Sequence, residues 1–159
     1  MVHVAVVSAH WDAYGVLTFP KPGAIADWRS ATVDDAACKV VERLARGMPS
    51  EETIGAVVGA FDDEPRTLVR CAAKGAVVTV DYAFDGDLLL EHGAVLFGAL
   101  ARAGAFGATG TVWIEDDMHP AYVLTVAAKS KLAKWDKKKT TAPDDLVERH
   151  RALVAKTLG

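Results

Sequence analysis

Residues 76–115 read AVVTVDYAFDGDLLLEHGAVLFGALARAGAFGATGTVWIE, and the periodicity changes twice along them. Over 76–84 the pattern alternates, with Val78, Val80, Tyr82 and Phe84 on one side and Thr79 and Asp81 on the other. That period of two predicts a half-buried strand. Asp85-Gly86-Asp87 then turns the chain into a helix over 88–103, stopped by Gly104. Its apolar residues (Leu89, Leu90, Val95, Leu96, Phe97, Leu100) wrap much of the circumference, so it is expected to be covered on more than one side. Over 111–115 the chain reads as strand again. Strand, helix, strand at 76–115 is compatible with a right-handed parallel crossover. The fold class expected is therefore α/β or α+β, a single mixed β-sheet of about five strands flanked by four to five helices.

Upstream, 2–9 reads as a buried strand and 14–19 as a second one, joined as a hairpin through 10–13 and ended by the turn Pro20-Lys21-Pro22-Gly23. Thr32 as N-cap, Asp34 and Asp35 in the first turn, and an apolar stripe of Ala37, Val40, Val41 and Leu44 predict a helix ending at Gly47. Residues 53–61 mix helix and strand signals, with helix the favoured reading. Asp62-Asp63-Glu64-Pro65 reads as the start of a helix running to Lys74, with Gly75 as its stop. Downstream, 121–128 reads as a strand antiparallel to its predecessor. A capping-box layout at Thr141 opens a last helix with the stripe Leu146, Val147, His150, Leu153, Val154 and Thr157.

A chain of 159 residues, 51% hydrophobic and 25% charged, suits one globular domain over 1–159. The net charge of −3 argues against nucleic acid or an anionic membrane as partner. The amino terminus lacks the basic region of a signal peptide, and the longest apolar stretch, 93–101, is far short of the ~20 residues that span a bilayer. Cys38 and Cys71 have no CxxC partner and read as buried thiols, so the expected location is cytoplasmic.

Two clusters could carry function. His10 and Asp12 follow one predicted strand, and Asp116, Asp117 and His119 follow another. Were those strand ends adjacent, two imidazoles and several carboxylates would suit a divalent metal. Lys129 to Lys139 holds six lysines, Lys134 and Lys137 among them, around Trp135. Lysines beside an aromatic can anchor an acidic partner. Trp11, Trp28 and Trp135 fall in predicted loops, and Trp11 joins Trp135, Lys134 and Lys137 as an expected binding residue. Acidic groups recur at Glu51-Glu52, Asp62-Asp63-Glu64, Asp81, Asp85 and Asp87; on one face they would suit a basic partner such as a nucleic-acid-degrading enzyme. His92 and His150 read as satisfied core or boundary histidines.

Residues 4–12, Val-Ala-Val-Val-Ser-Ala-His-Trp-Asp, resemble the strand and turn of the class III extradiol ring-cleavage dioxygenases. The resemblance implies that His10 belongs to an iron site. No counterpart to the family's upstream metal-binding histidine is read in the residues before His10, and the chain is not assigned to the family. No nucleophile elbow, P-loop or dinucleotide fingerprint occurs. The expected function is a noncatalytic protein-binding domain of the small cytoplasmic inhibitor or immunity type, with no cofactor and with another protein, or a second copy of the chain, as partner. The alternative is a small metal-dependent enzyme using a divalent ion at His10, Asp12, Asp116, Asp117 and His119.

Overall fold

In a computed structural model the described residues are 10–33, 51–116, 122–128, 134–136 and 141–158. They form β1 (His10–Thr18), α1 (Pro22–Ser30), α2 (Ile54–Gly59), β2 (Leu68–Lys74), β3 (Val77–Asp85), α3 (Gly86–Arg102), a 3-10 turn (Ala103–Phe106), β4 (Thr109–Asp116), β5 (Tyr122–Val126), β6 (Lys134–Asp136) and α4 (Asp144–Leu158). The strands lie in one sheet of order β2-β3-β1-β4-β5-β6. Among the described residues every strand pairing is antiparallel, where a mixed sheet was expected. β3, α3 and β4 follow one another in the chain, but β1 lies between the two strands and pairs with both. β3 and β4 therefore run in the same direction without touching.

Alternation gives the sheet two unlike faces. Trp11, Ala13 and Leu17 of β1 line up with Phe84, Tyr82 and Val78 of β3 and, on the other side, Ala13 lines up with Ile114 of β4. All are buried in the main core. α3 covers this face, with Leu96, Phe97, Leu100 and Ala101 fully buried, and α1 and α2 pack beside it. The opposite face carries His10, Asp12 and Tyr14 of β1 beside Asp85, Ala83 and Asp81 of β3. α4 lies over that polar face, against β1 and β2.

Five local differences separate the structure from these expectations. The hairpin through 10–13 is instead one continuous strand, because Trp11 and Ala13 extend the alternation of Leu17 back to the strand's start. The helix expected over 62–74 is β2, which pairs with β3 through the two-residue loop Gly75-Ala76. Gly75, with φ of 60°, supplies the left-handed residue of a hairpin turn rather than a helix stop. α1 was not anticipated: Pro22 opens it in the position where a missing N–H costs nothing. Trp28, expected in a loop, lies fully buried within α1 and donates its indole N–H to the Ala99 carbonyl of α3 at 2.8 Å. On the last helix, Leu146, Val147, Leu153 and Val154 are half-buried, but Thr157 is exposed and falls off the stripe. The strand expected at 2–9, the helix over 34–47 and Cys38 lie outside the described residues.

β1 and β4 approach closely at Gly15. A Cβ there would run into the Thr111 carbonyl oxygen and come within 2.8 Å of Val112 Cα, both backbone atoms of a central strand that cannot yield alone. Gly15→Ala is expected to cost about 1–3 kcal/mol, seen as a lowered Tm in thermal melts; an unchanged Tm would contradict this packing.

Candidate functional site

The polar face of the sheet meets α4 in a chain of hydrogen bonds between charged groups. His150, at the middle of α4, is 1% exposed, and Asp81 of β3 is 2% exposed. His150 Nδ1 lies 2.8 Å from Asp81 Oδ1, and its Nε2 lies 2.8 Å from Asp12 Oδ1. Arg149, the preceding residue, closes a two-pronged pair on Asp81, donating at 2.8 Å to Oδ1 and 3.0 Å to Oδ2. The other oxygen of Asp12 is 3.4 Å from His10 Nε2, and His10 Nδ1 is 3.5 Å from Asp85 Oδ1. Tyr14 stacks on the His150 ring at 4.8 Å between centroids and donates its hydroxyl to Glu115 at 3.3 Å.

This meeting follows from register. Asp12 and Tyr14 are two apart on β1, and Tyr14 faces Asp81 across β3, so one imidazole laid over Tyr14 reaches both carboxylates. An imidazole with a carboxylate on each nitrogen is satisfied only as the cation, with two N–H donors. Burial alone pulls the His150 pKa down, but the hydrogen bonds and charges of Asp12 and Asp81 outweigh it and the net shift is upward. For Asp81, burial pushes up while His150 and Arg149 pull down harder, so its carboxyl is held below the usual range. Burial, with the neighbouring Glu115 charge, raises the Tyr14 hydroxyl far above its ordinary value.

Chemically His150 and Asp81 are committed to one another and to Arg149. His150 as imidazolium has no lone pair with which to accept a proton, both Asp81 oxygens accept hydrogen bonds, and Asp12 is engaged through Oδ1 by His150 while its Oδ2 lies 3.4 Å from His10 Nε2. A general base needs a free lone pair within reach of a substrate proton. The arrangement instead ties a helix to two strands.

The sequence-derived candidates are distributed as follows. His10 and Asp12 lie together at the start of β1. Asp116 pairs in register with Trp11, and Glu115 with Asp12, so Asp116 lies on the face opposite Asp12. Asp117, His119 and Lys137 lie outside the described residues. Trp11 is a core residue at 8% exposure rather than a loop residue. Lys134 and Trp135 are in β6, paired in register with Thr125 and Leu124 of β5, so Trp135 belongs to a strand and not to a loop. Among the described residues no group of three or more His, Cys, Asp or Glu is arranged to hold a metal ion. Cys71 is buried beside the Tyr82 hydroxyl at 3.7 Å, and burial pushes its thiol up to about 12. Arg149 and His150 were not marked as site residues; the signal available was a histidine on an apolar helical stripe.

Comparison with protein-family models, with curated proteins and with solved structures finds no match for this chain. Among the described residues no helix is long and apolar enough to cross a membrane.

The two shifted groups fix a pH profile. The raised folded pKa of His150 gives stability that is complete below its unfolded value of about 6.5 and is lost as pH climbs through the folded value. The lowered pKa of Asp81 gives stability present above its unfolded value of about 3.9 and lost as pH falls through the folded value. Thermal melts across pH are expected to peak between these limits. His150→Ala leaves two carboxylates without their shared donor and is expected to cost about 3–5 kcal/mol and to abolish the alkaline decline. A variant that keeps the wild-type alkaline slope would show that another group sets it.

Proposed function

We propose that this chain is a noncatalytic protein-binding domain of the small inhibitor or immunity type, presenting an acidic surface around α2 to a basic partner. The observation that carries this reading is the position of two acidic runs. Glu51 and Glu52 immediately precede α2, Asp62, Asp63 and Glu64 follow it, and all five are exposed. The helix between them has six residues and is therefore about 9 Å long, so runs ten residues apart in sequence flank one short element. Over 51–70 five carboxylates stand against Arg66 and Arg70, a net of −3. Charge segregated in this way steers an oppositely charged partner and sets the rate of encounter. The His150 cluster adds support, since His150, Arg149 and Asp81 are bonded to one another.

The metal-enzyme alternative has less behind it. Asp12 gives one oxygen to His150 and the other to His10, and Asp116 lies across the sheet from it.

Quantitative affinity capture from the source cells, wild type against Glu51→Lys/Glu52→Lys/Asp62→Lys/Asp63→Lys, tests the proposal. A basic protein retained by the wild type, released by raised salt and lost from the variant is expected. Equal capture by both chains would overturn the acidic surface. Near-stoichiometric zinc, iron or manganese in tag-free protein, lost on His10→Ala, would replace the binding reading with the enzyme one.

A further inference from the structure

We propose a second, independent site: the cleft between the end of β3, the turn before β2 and the last turns of α4 binds a free α-amino acid with a branched aliphatic side chain. The cleft has a volume of about 320 Å³ and is lined by His10, Arg66, Asp85, Val154, Ala155 and Leu158. That volume lies at the small end of ligand pockets. Its charged lining has both signs. Arg66 has no hydrogen bond or ion pair among the described residues, and in particular none with Asp85 across the cleft. Asp85 Oδ1 is 3.5 Å from His10 Nδ1, which orients the carboxylate and leaves Oδ2 for another donor.

The third wall is aliphatic. Val154 and Leu158 are four residues apart on α4, hence neighbours on one helix face, and both are half-buried. The backbone of Arg66 is in the left-handed region at φ 57°, a conformation uncommon for a residue with a side chain and concentrated at ligand clamps. The Thr67 hydroxyl, donating to the Pro65 carbonyl at 3.2 Å, braces that turn.

Taken together, these walls select the occupant. A simple anion would be drawn to Arg66 but repelled by Asp85, and a simple cation the reverse. A zwitterion satisfies both, its carboxylate on the planar guanidinium and its ammonium on Asp85. A branched aliphatic side chain then covers Val154 and Leu158.

Calorimetric titration of the full chain with L-leucine, leucinamide and N-acetyl-L-leucine tests this. Leucine is expected to bind in the millimolar range or tighter, and each analogue, lacking one charge, about tenfold or more weakly. Asp85→Asn and Arg66→Gly, the latter keeping the turn's left-handed backbone, are each expected to weaken leucine by a similar factor, with circular dichroism verifying the fold. No heat with leucine, or undiminished binding by the folded variants, overturns the proposal. N-acetyl-L-leucine binding as well as leucine also overturns it, by making the cleft a site for peptide carboxyl termini. Should either variant fail to fold, the analogue series on the wild type decides alone.

Discussion

The imidazole of His150, held between carboxylates of two neighbouring strands, ties the last helix to the sheet. Each nitrogen donates to a different aspartate at 2.8 Å, and Arg149 holds the deeper one in two further bonds. Two negative charges on adjacent strands of one sheet face would repel one another if buried without a counter-charge. The two cations of α4 remove that conflict only when the helix is docked. Helix position and sheet electrostatics are therefore one problem with one solution.

That constraint organises the rest of the molecule. The apolar face of the sheet is free to build the main core with α3, Trp28 and the aromatic pairs around Phe97. The polar face, which could not be buried under an apolar helix, takes a helix that buries His150 against it and reaches in with Arg149 from the exposed flank. Beyond the cluster the same face opens at His10 and Asp85 into the cleft beside Arg66. The acidic surface around α2 ends at Glu64, two residues before Arg66, but the carboxylates that carry it do not line the cleft.

Much of this architecture was legible in local pattern. The alternation from Val78 to Phe84 identified β3 and put Asp81 on the side away from the core, and the apolar run of 88–103 identified α3. The stripe containing Leu146, Val147, His150 and Leu153 identified α4. What local pattern could not carry was the pairing. His150 meets Asp81 across 69 residues and Asp12 across 138, and those meetings depend on strand order and register, which no window of sequence contains. The same limit explains β2: an acidic run before Pro65 imitates a helix start, and only pairing with β3 turns Val69 and Cys71 inward. Tryptophan in a polar stretch proved a poor guide, since Trp11 and Trp28 both lie in the core.

The tie between α4 and the sheet requires His150 to hold its proton, for a neutral imidazole would regain a lone pair and with it the capacity to act as a base. Long-range proton–nitrogen correlation NMR on the His150 ring at neutral pH reads this directly. Nδ1 and Nε2 are both expected to carry protons, with titration shifted above the ordinary imidazole range. One unprotonated ring nitrogen at neutral pH would contradict it, and would reopen the polar face as a place for proton-transfer chemistry.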